Sequence, residues 1–206
     1  MKRLLALLIT AAAFTTGAIT ATAATPLPHT QRVVVRPVHA NGTPVAGYTV
    51  THESIPGFTC DSVSTVAVDP NIRFCGYSAT YTVACWKSAN HTVLCLRDPR
   101  AKSLVRIRYT GRFAPVARPH RPSPQALGLF NGGYCMIRDG GAWGWVQGHP
   151  QWAGAYSCRH VDVYGTGRDG IDRSVNPWRV HTVAFTQSGQ SIVNRRVRTA
   201  YYVGTA

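Results

Sequence analysis

Six cysteines, all downstream of an apolar N-terminal segment, constrain the fold of this 206-residue chain more than any other feature. An even number of cysteines in an oxidising compartment favours disulfide bonds over free thiols. Six cysteines allow fifteen connectivities, and their spacing alone does not choose among them. We predict the sequential set, which joins Cys60 with Cys75, Cys85 with Cys95 and Cys135 with Cys158.

Residues 75–97 contain three of these cysteines and predict a β-hairpin. Residues 81–86 alternate in the period-two pattern of a strand, and apolar residues resume at 92–96 after a short polar turn. Cys85 and Cys95 lie directly opposite each other if the loop is centred on Asn90, a residue type that tolerates turn conformations. The pattern therefore predicts a cross-strand disulfide.

The N-terminus is typical of an export signal. Lys2 and Arg3 precede a largely apolar run over residues 4–19, and Ala21-Thr22-Ala23 fits a small-residue cleavage site. A membrane anchor is the competing interpretation, but the run contains threonines and glycine and lacks a basic stop-transfer flank. We predict a signal peptide over residues 1–23 and a secreted or cell-envelope location, with no transmembrane span after cleavage.

The chain is strongly basic. Without Lys2 and Arg3, 20 of the 22 basic residues remain against eight acidic ones, which leaves a formal net charge of +12. Such a surface attracts polyanions in general. No nucleic-acid-binding module accompanies the charge, so the predicted partner is an anionic polymer or cell-envelope glycan and not a specific DNA or RNA sequence.

Further strand patterns predict a mainly β fold. Residues 31–50 predict a hairpin around an Asn41-Gly42-Thr43-Pro44 turn, and residues 103–113 predict a half-buried strand with a cationic outer face. More strands are expected at 156–164, 178–186 and 192–203, and no stretch keeps helical spacing over three turns. We predict an antiparallel, sandwich-like architecture stapled by three disulfides.

The segment 114–125 contains four prolines, which cannot sit inside a sheet because proline lacks the backbone donor. We interpret it as a semi-rigid connector between an N-terminal β lobe, residues 24–113, and a C-terminal β lobe, residues 126–206. It would equally cross a single sandwich, so one unit and two lobes both remain open.

Two groups of residues are candidate binding sites. Arg106, Arg108 and Arg112 would form a binding face for phosphorylated or carboxylated polymer, because guanidinium suits bidentate contact with oxyanions. The alternative is a solvated strand face. The tryptophans of the second half would stack on sugar rings, with the first two on one strand face, or else would fill a small β core. They are Trp143, Trp145 and Trp152.

Other motifs have ordinary explanations. The segment 165–170 matches the glycine pattern of dinucleotide-binding loops, but no amphipathic helix follows it, so it predicts a glycine turn. Asp169 and Asp172 would hold a cation or form a charged turn.

A catalytic triad of His160 and Asp162 with Ser157 or Ser174 requires a geometry that spacing alone does not indicate. No His or Cys pair has zinc-ligand spacing, and no pair of carboxyls is marked out for glycoside hydrolysis. We assign no catalytic residue, metal or cofactor.

Five sequence segments carry a resemblance. They are Cys85-Trp86 and residues 94–99, 131–143, 170–174 and 196–206. With these segments the chain resembles the small secreted, disulfide-containing conserved hypothetical proteins of mycobacteria and related actinobacteria, whose function is uncharacterised. The resemblance implies export and an envelope or extracellular location, and it carries over no site residues.

The sequence thus favours a non-enzymatic binding module for an anionic envelope or extracellular polymer. One alternative is a secreted hydrolase that acts on envelope carbohydrate or ester. A second is a protein-interaction or inhibitor module, whose signature would be a rigid exposed loop held by Cys135 and Cys158. Whether the protein is an enzyme and how it oligomerises stay open at this point.

Overall fold

The computed structural model describes residues 28–77 and 81–206. The predicted signal peptide, residues 1–23, lies outside the described residues. The part of the chain that the structure describes consists of strands, turns and loops, and it contains no helix that could cross a membrane. The predicted mainly β fold is confirmed.

The described residues form fourteen strands. They are β1 (Gln31–Val35), β2 (Thr49–Glu53), β3 (Ser62–Val63), β4 (Ile72–Cys75), β5 (Thr82–Ser88), β6 (Thr92–Cys95), β7 (Ser103–Arg108), β8 (Ala126–Leu129), β9 (Tyr134–Ile137), β10 (Ala153–Cys158), β11 (Asp162–Gly165), β12 (Ile171–Asp172), β13 (Arg179–Thr186) and β14 (Gly189–Val203).

The strands form two sheets. One has six strands in the order β2-β7-β6-β5-β4-β3. The other has eight strands in the order β1-β14-β8-β9-β10-β11-β13-β12, and an additional pairing of β14 with β13 closes six of them into a barrel. The closure depends on the length of β14, whose first half pairs with β13 and whose second half pairs with β8.

The predicted hairpin over residues 31–50 is wrong, although its turn is present. Apart from one isolated bridge between Val38 and Pro44, the two strands separate. β1 pairs in parallel with β14 of the barrel, and β2 pairs in parallel with β7 of the six-stranded sheet. The sequence pattern detected both strands, but local spacing carries no information about partners more than fifty residues away.

The three predicted disulfides are confirmed, with Cα–Cα distances of 4.1 to 4.2 Å. Cys85 on β5 lies opposite Cys95 on β6, as the hairpin pattern predicts, and Asn90 in the turn has a positive φ of 56°. Cys135 and Cys158 are likewise direct partners on β9 and β10. These two disulfides therefore reinforce strand pairs that already adjoin.

The proline-rich connector lies against the sheets that it joins. Asn71 and Val116 exchange hydrogen bonds, and the amide of Ser123 donates to the Thr65 carbonyl. The buried Arg73 donates to the carbonyls of Asp61, at 3.0 Å, and Ala114. The connector is thus held near both of its ends.

The hydrophobic core includes a cluster with residues from both sheets. Trp86 and Leu94 of the six-stranded sheet pack in one cluster with Val203 of β14. A second cluster is built from barrel strands, and a third surrounds the two disulfides of the six-stranded sheet. In addition, β1 lies in the eight-stranded sheet, although the prediction assigns this strand to the N-terminal lobe. The two-lobe division stays a prediction.

Candidate anion-binding cleft

The predicted basic face lies at the end of β7. Arg106 is partly buried, and its Nη1 donates to Ser88 Oγ at 2.9 Å and to Thr92 Oγ1 at 3.1 Å. Arg108 and Arg112 are exposed. One of the three arginines is therefore tethered to the protein, and two extend into solvent.

One face of β7 is apolar, and the arginine face begins with an apolar residue. Val105 and Ile107 are buried on one face, as predicted, but Leu104 on the arginine face is fully buried as well. The cationic character is thus limited to the C-terminal end of the strand, at Arg106 and Arg108. The two arginines lie where the alternation of residues places them, and a core cluster covers the beginning of their face.

The three predicted tryptophans lie in the loop between β9 and β10 or at its end, so Trp143 and Trp145 do not share a strand face. Trp143 packs edge-on against Tyr164, with ring centroids 5.7 Å apart. Trp145 is 63% exposed. The side chain of Gln190 on β14 braces this loop, since it accepts from the amide of residue 147 and donates to the Trp145 carbonyl.

Trp152 lies in a stack of three rings. Its centroid is 3.8 Å from that of His149 and 4.6 Å from that of His181 on β13. Trp143 and Trp152 are both partly buried and belong to a small cluster on the barrel. Two of the tryptophans thus pack against the barrel, whereas Trp145 is exposed, and the sugar-stacking role stays a prediction.

A larger basic surface surrounds a cleft of about 820 Å³ beside the barrel. Its walls come from β1, the end of the connector, the turn between β11 and β12, the segment between β12 and β13, and the strand β14. Five cationic or titratable basic side chains line it, together with one carboxylate and two aromatic rings. They are Arg32, His120, Arg121, Arg168, Arg173, Asp169, Trp178 and Tyr202.

The glycine turn at residues 165–170 positions two of these side chains. A strand, β12, follows the turn, so the structure agrees with the predicted turn and lacks the helix that a dinucleotide-binding loop requires. The backbone crosses itself closely, since a Cβ on Gly165 would lie 2.8 Å from the Cα of Gly170, which has a φ of +61°. This tight crossing presents Arg168 and Asp169 to the cleft.

Asp169 and Arg173 form the ion pair at the base of this turn. The carboxylate, in a residue that is only 8% exposed, accepts two hydrogen bonds from the guanidinium, at 3.0 and 2.6 Å. Burial lowers the pKa of Arg173, but its hydrogen bond to Asp169 and the charge of that carboxylate raise the pKa to a net value above the usual range. Arg173 therefore stays charged, and its guanidinium lies over the Trp178 ring at 5.0 Å.

The two aspartates that were considered as cation ligands both accept hydrogen bonds from groups of the protein. Asp169 binds Arg173, whereas Asp172 accepts hydrogen bonds from the amide and hydroxyl of Ser174, at 2.9 and 2.6 Å. The hydroxyl bond is the main cause of the lowered pKa of Asp172. The turn is a charged turn. Within residues 28–77 and 81–206, no three His, Cys, Asp or Glu side chains form a group that could hold a metal ion.

Three arginines of the cleft carry charge that no carboxylate neutralises within the described residues. They are Arg32, Arg121 and Arg168, all exposed. The guanidinium of Arg32 lies over the ring of the buried Tyr202, 4.9 Å from its centroid. A guanidinium that lies over a ring keeps N–H groups available for an oxyanion, so this position suits bidentate binding.

The chain matches no family model, no curated protein and no solved structure. The resemblance to secreted actinobacterial proteins therefore stays a prediction.

The residues of the suggested triad do not form a catalytic relay. Ser157 Oγ donates directly to Asp162 Oδ1, at 2.8 Å, so the carboxylate binds the hydroxyl and does not orient a histidine between them. His160 is exposed in the turn between β10 and β11. Ser174 donates to Asp172.

Sequence reasoning missed the cleft because its residues are scattered along the chain. Arg32 and Tyr202 meet only through the parallel pairing of β1 with β14. Arg121 comes from the connector, which the sequence pattern predicts only as a semi-rigid spacer. The sequence did contain one signal for the cleft. Arg168 and Asp169 lie inside a glycine turn, and such a turn holds charged side chains in place.

Proposed function

We propose that the protein is a non-enzymatic binding module for an anionic polymer or cell-envelope glycan, and that the cleft beside the barrel is where it binds. One observation carries the proposal. Three arginines without a carboxylate partner, from β1, the connector and the glycine turn, surround one cleft next to two aromatic side chains. Carboxylate, phosphate and sulfate groups all match the hydrogen-bonding edge of guanidinium.

The charge of the whole chain supports a polymeric ligand. All eight acidic residues fall within the described residues, and four of them bind an arginine in an ion pair. Most basic side chains therefore contribute to a positive field that attracts polyanions over a range set by the salt concentration. The cleft adds fixed geometry to this general attraction.

Two basic surfaces compete for the role, and a matched pair of variants separates them. Arg121→Ala with Arg168→Ala alters the cleft, and Arg106→Ala with Arg108→Ala alters the end of β7. Each pair removes two positive charges. Retention on an immobilised sulfated or carboxylated glycan would be measured over a range of salt concentrations.

We expect the cleft variant to elute at lower salt than the β7 variant and to show a smaller salt dependence, because fewer counterions are released. Equal shifts in the two variants would mean that binding reports net charge only, and the proposed site would be rejected. A larger shift of the elution salt in the β7 variant would indicate that the polymer binds at Arg106 and Arg108 instead.

The three disulfides fit a secreted or extracellular protein. We propose that the protein acts after export, in the envelope or outside the cell. Cleavage after residue 23 would be tested by N-terminal sequencing of the protein recovered from the culture medium or the envelope fraction of its source.

The braced loop between β9 and β10 supports a second candidate, a protein-interaction or inhibitor module. The Cys135–Cys158 disulfide closes this hairpin, Arg138 lies over the Trp143 ring at 4.6 Å, and Trp145 is exposed. The same loop would then present Trp145 to a protein partner. Loss of a captured extracellular protein on Trp145→Ala, but not on the cleft variant, would favour this function over polymer binding.

A further inference from the structure

A second cavity, of about 530 Å³, lies where the two sheets meet. Its walls include Thr82 and Val83 on β5, Leu96 after β6, and Ile137 on β9 of the barrel. It shares no lining residue with the basic cleft. Its volume falls in the range of roughly 300–1,000 Å³ that is typical of sites for small molecules.

Gln125 provides the first polar group of this cavity. Its side chain is fully buried, and its Nε2 donates to the carbonyls of Leu96, at 2.9 Å, and Arg97, at 3.2 Å. These two bonds orient the amide, because the reverse orientation would put an oxygen against two carbonyl oxygens. Oε1 is left as a buried acceptor with no hydrogen-bond partner.

Thr82 provides the second polar group. The residue is 3% exposed, and its Oγ1 has no hydrogen-bond partner either. Buried polar groups in native proteins nearly always have a partner, and each exception costs free energy. Four buried side-chain atoms in the described residues lack one, and two of the four belong to residues of this cavity.

The remaining lining offers no unpaired charge to a ligand. Glu53 and Arg97 neutralise each other through two hydrogen bonds, at 2.7 and 2.6 Å. The wall is otherwise largely apolar and includes Ile55, Val83 and Met136. A charge placed here would be desolvated without a counterion.

We infer that this cavity binds a small uncharged molecule with an apolar body and a hydroxyl or amide group. The group donates a hydrogen bond to Gln125 Oε1, and Thr82 Oγ1 either donates to it or accepts from it. The apolar body packs against the aliphatic side chains of the wall. This ligand is distinct in chemistry and place from the anionic polymer of the cleft.

The test uses two probes that differ in one donor, benzyl alcohol and benzyl methyl ether, with the disulfide-bonded chain lacking residues 1–23. Backbone amide NMR shifts report both the affinity and the place of binding. Thr82→Val removes the hydroxyl at nearly constant volume. Thr182→Val is the matched control, since Thr182 is also 3% exposed but donates to the Val193 carbonyl in the barrel.

We expect benzyl alcohol to shift the amides around Leu96, Gln125 and Ile137. The ether should bind roughly fivefold more weakly than the alcohol. Thr82→Val should lower the affinity for the alcohol by a similar factor, because each change removes one net hydrogen bond. Thr182→Val should leave the affinity unchanged.

Equal affinity for the two probes, or equal effects of the two threonine variants, would overturn the inference. So would an absence of shifts at these amides at saturating alcohol, which would make the cavity a hydration site. The Arg121→Ala, Arg168→Ala variant should bind the alcohol like the unaltered protein, so failure of the cleft proposal and failure of this one are distinguishable.

Discussion

At the scale of single residues, the charged groups of the cleft divide into a structural pair and a set available to bind. Asp169 is almost buried and binds Arg173, whereas Arg32, Arg121 and Arg168 make no ion pair within the described residues. The pair neutralises itself and fixes the turn. The ligand would therefore meet the three arginines without an ion pair and not the paired one.

We expect Asp169→Asn to destabilise the protein and to strengthen its binding to polyanion. The change breaks a charge-assisted hydrogen-bond pair that is partly exposed on the arginine side, which costs about 1–2 kcal/mol. It also releases the positive charge of Arg173 into the cleft. Urea unfolding and glycan retention would measure the two effects. Asp61→Asn, outside the cleft, removes the same charge and should change both much less.

Tyr134 gives the stability a predicted pH dependence. Burial raises the pKa of its phenol first, and the hydrogen bond to Asp98, at 2.5 Å, raises the pKa further. A raised folded-state pKa stabilises the protein below the unfolded value of about 10, and this stabilisation is lost as the pH rises above that value.

The free energy of unfolding should therefore fall above about pH 10, and it should fall less steeply in Tyr134→Phe. Urea titrations at a series of alkaline pH values would measure the slope. Tyr77→Phe, at a residue that is 55% exposed, is the control. The prediction would be contradicted if the free energy of unfolding fell with pH at the same rate in Tyr134→Phe and in the unaltered protein.

At the scale of elements, hairpins and turns behave as local features, and the parallel strands do not. The β5–β6 hairpin and its disulfide follow from alternation and a turn residue, all within a few residues of one another. The turn at Asn41–Pro44 is equally local, yet its strands join different sheets. Gly42 shows why the turn itself is retained, because it has a φ of +80° and packs against the backbone of β5.

Replacement of Gly42 by alanine should cost more stability than replacement of Gly47. Both glycines have a positive φ, so both variants incur backbone strain of about 1–2 kcal/mol. Only at residue 42 would the new Cβ lie 2.3 Å from the Lys87 carbonyl oxygen, whereas the space at residue 47 is open. Thermal unfolding of the two variants measures the difference. Equal losses of stability would show that the backbone of β5 moves away from the new Cβ without any further loss of stability.

At the scale of the whole molecule, the C-terminal residues contact parts of the chain that belong to both sheets and their cores. The amide of Gly204 donates to the Val35 carbonyl, that of Ala206 donates to the Val38 carbonyl, and Val203 packs with the core of the six-stranded sheet. These contacts cross the predicted boundary between the lobes.

We therefore expect the chain lacking residues 1–23 to unfold in one calorimetric transition, with equal calorimetric and van't Hoff enthalpies. Residues 126–206 alone lack β1 and the shared cluster, so they should not show the dispersed NMR spectrum of a folded domain. Two resolved transitions, or a folded C-terminal fragment, would instead support two independent lobes.

The sequence by itself determined the features that depend on neighbours along the chain. Alternation marked most strands and placed Cys85 opposite Cys95, and four prolines excluded residues 114–125 from the sheets. Each of these depends on backbone chemistry or on a loop of a few to about two dozen residues.

Only the tertiary structure decided which surfaces are functional candidates. The cleft needs Arg32 beside Tyr202, and the second cavity needs Thr82 near Gln125. These residues meet because β1 joins β14 in parallel and because the sheets share a core, and no sequence period relates such positions. The composition indicated that a basic surface would exist. Its place depended on which arginines the fold leaves without a carboxylate.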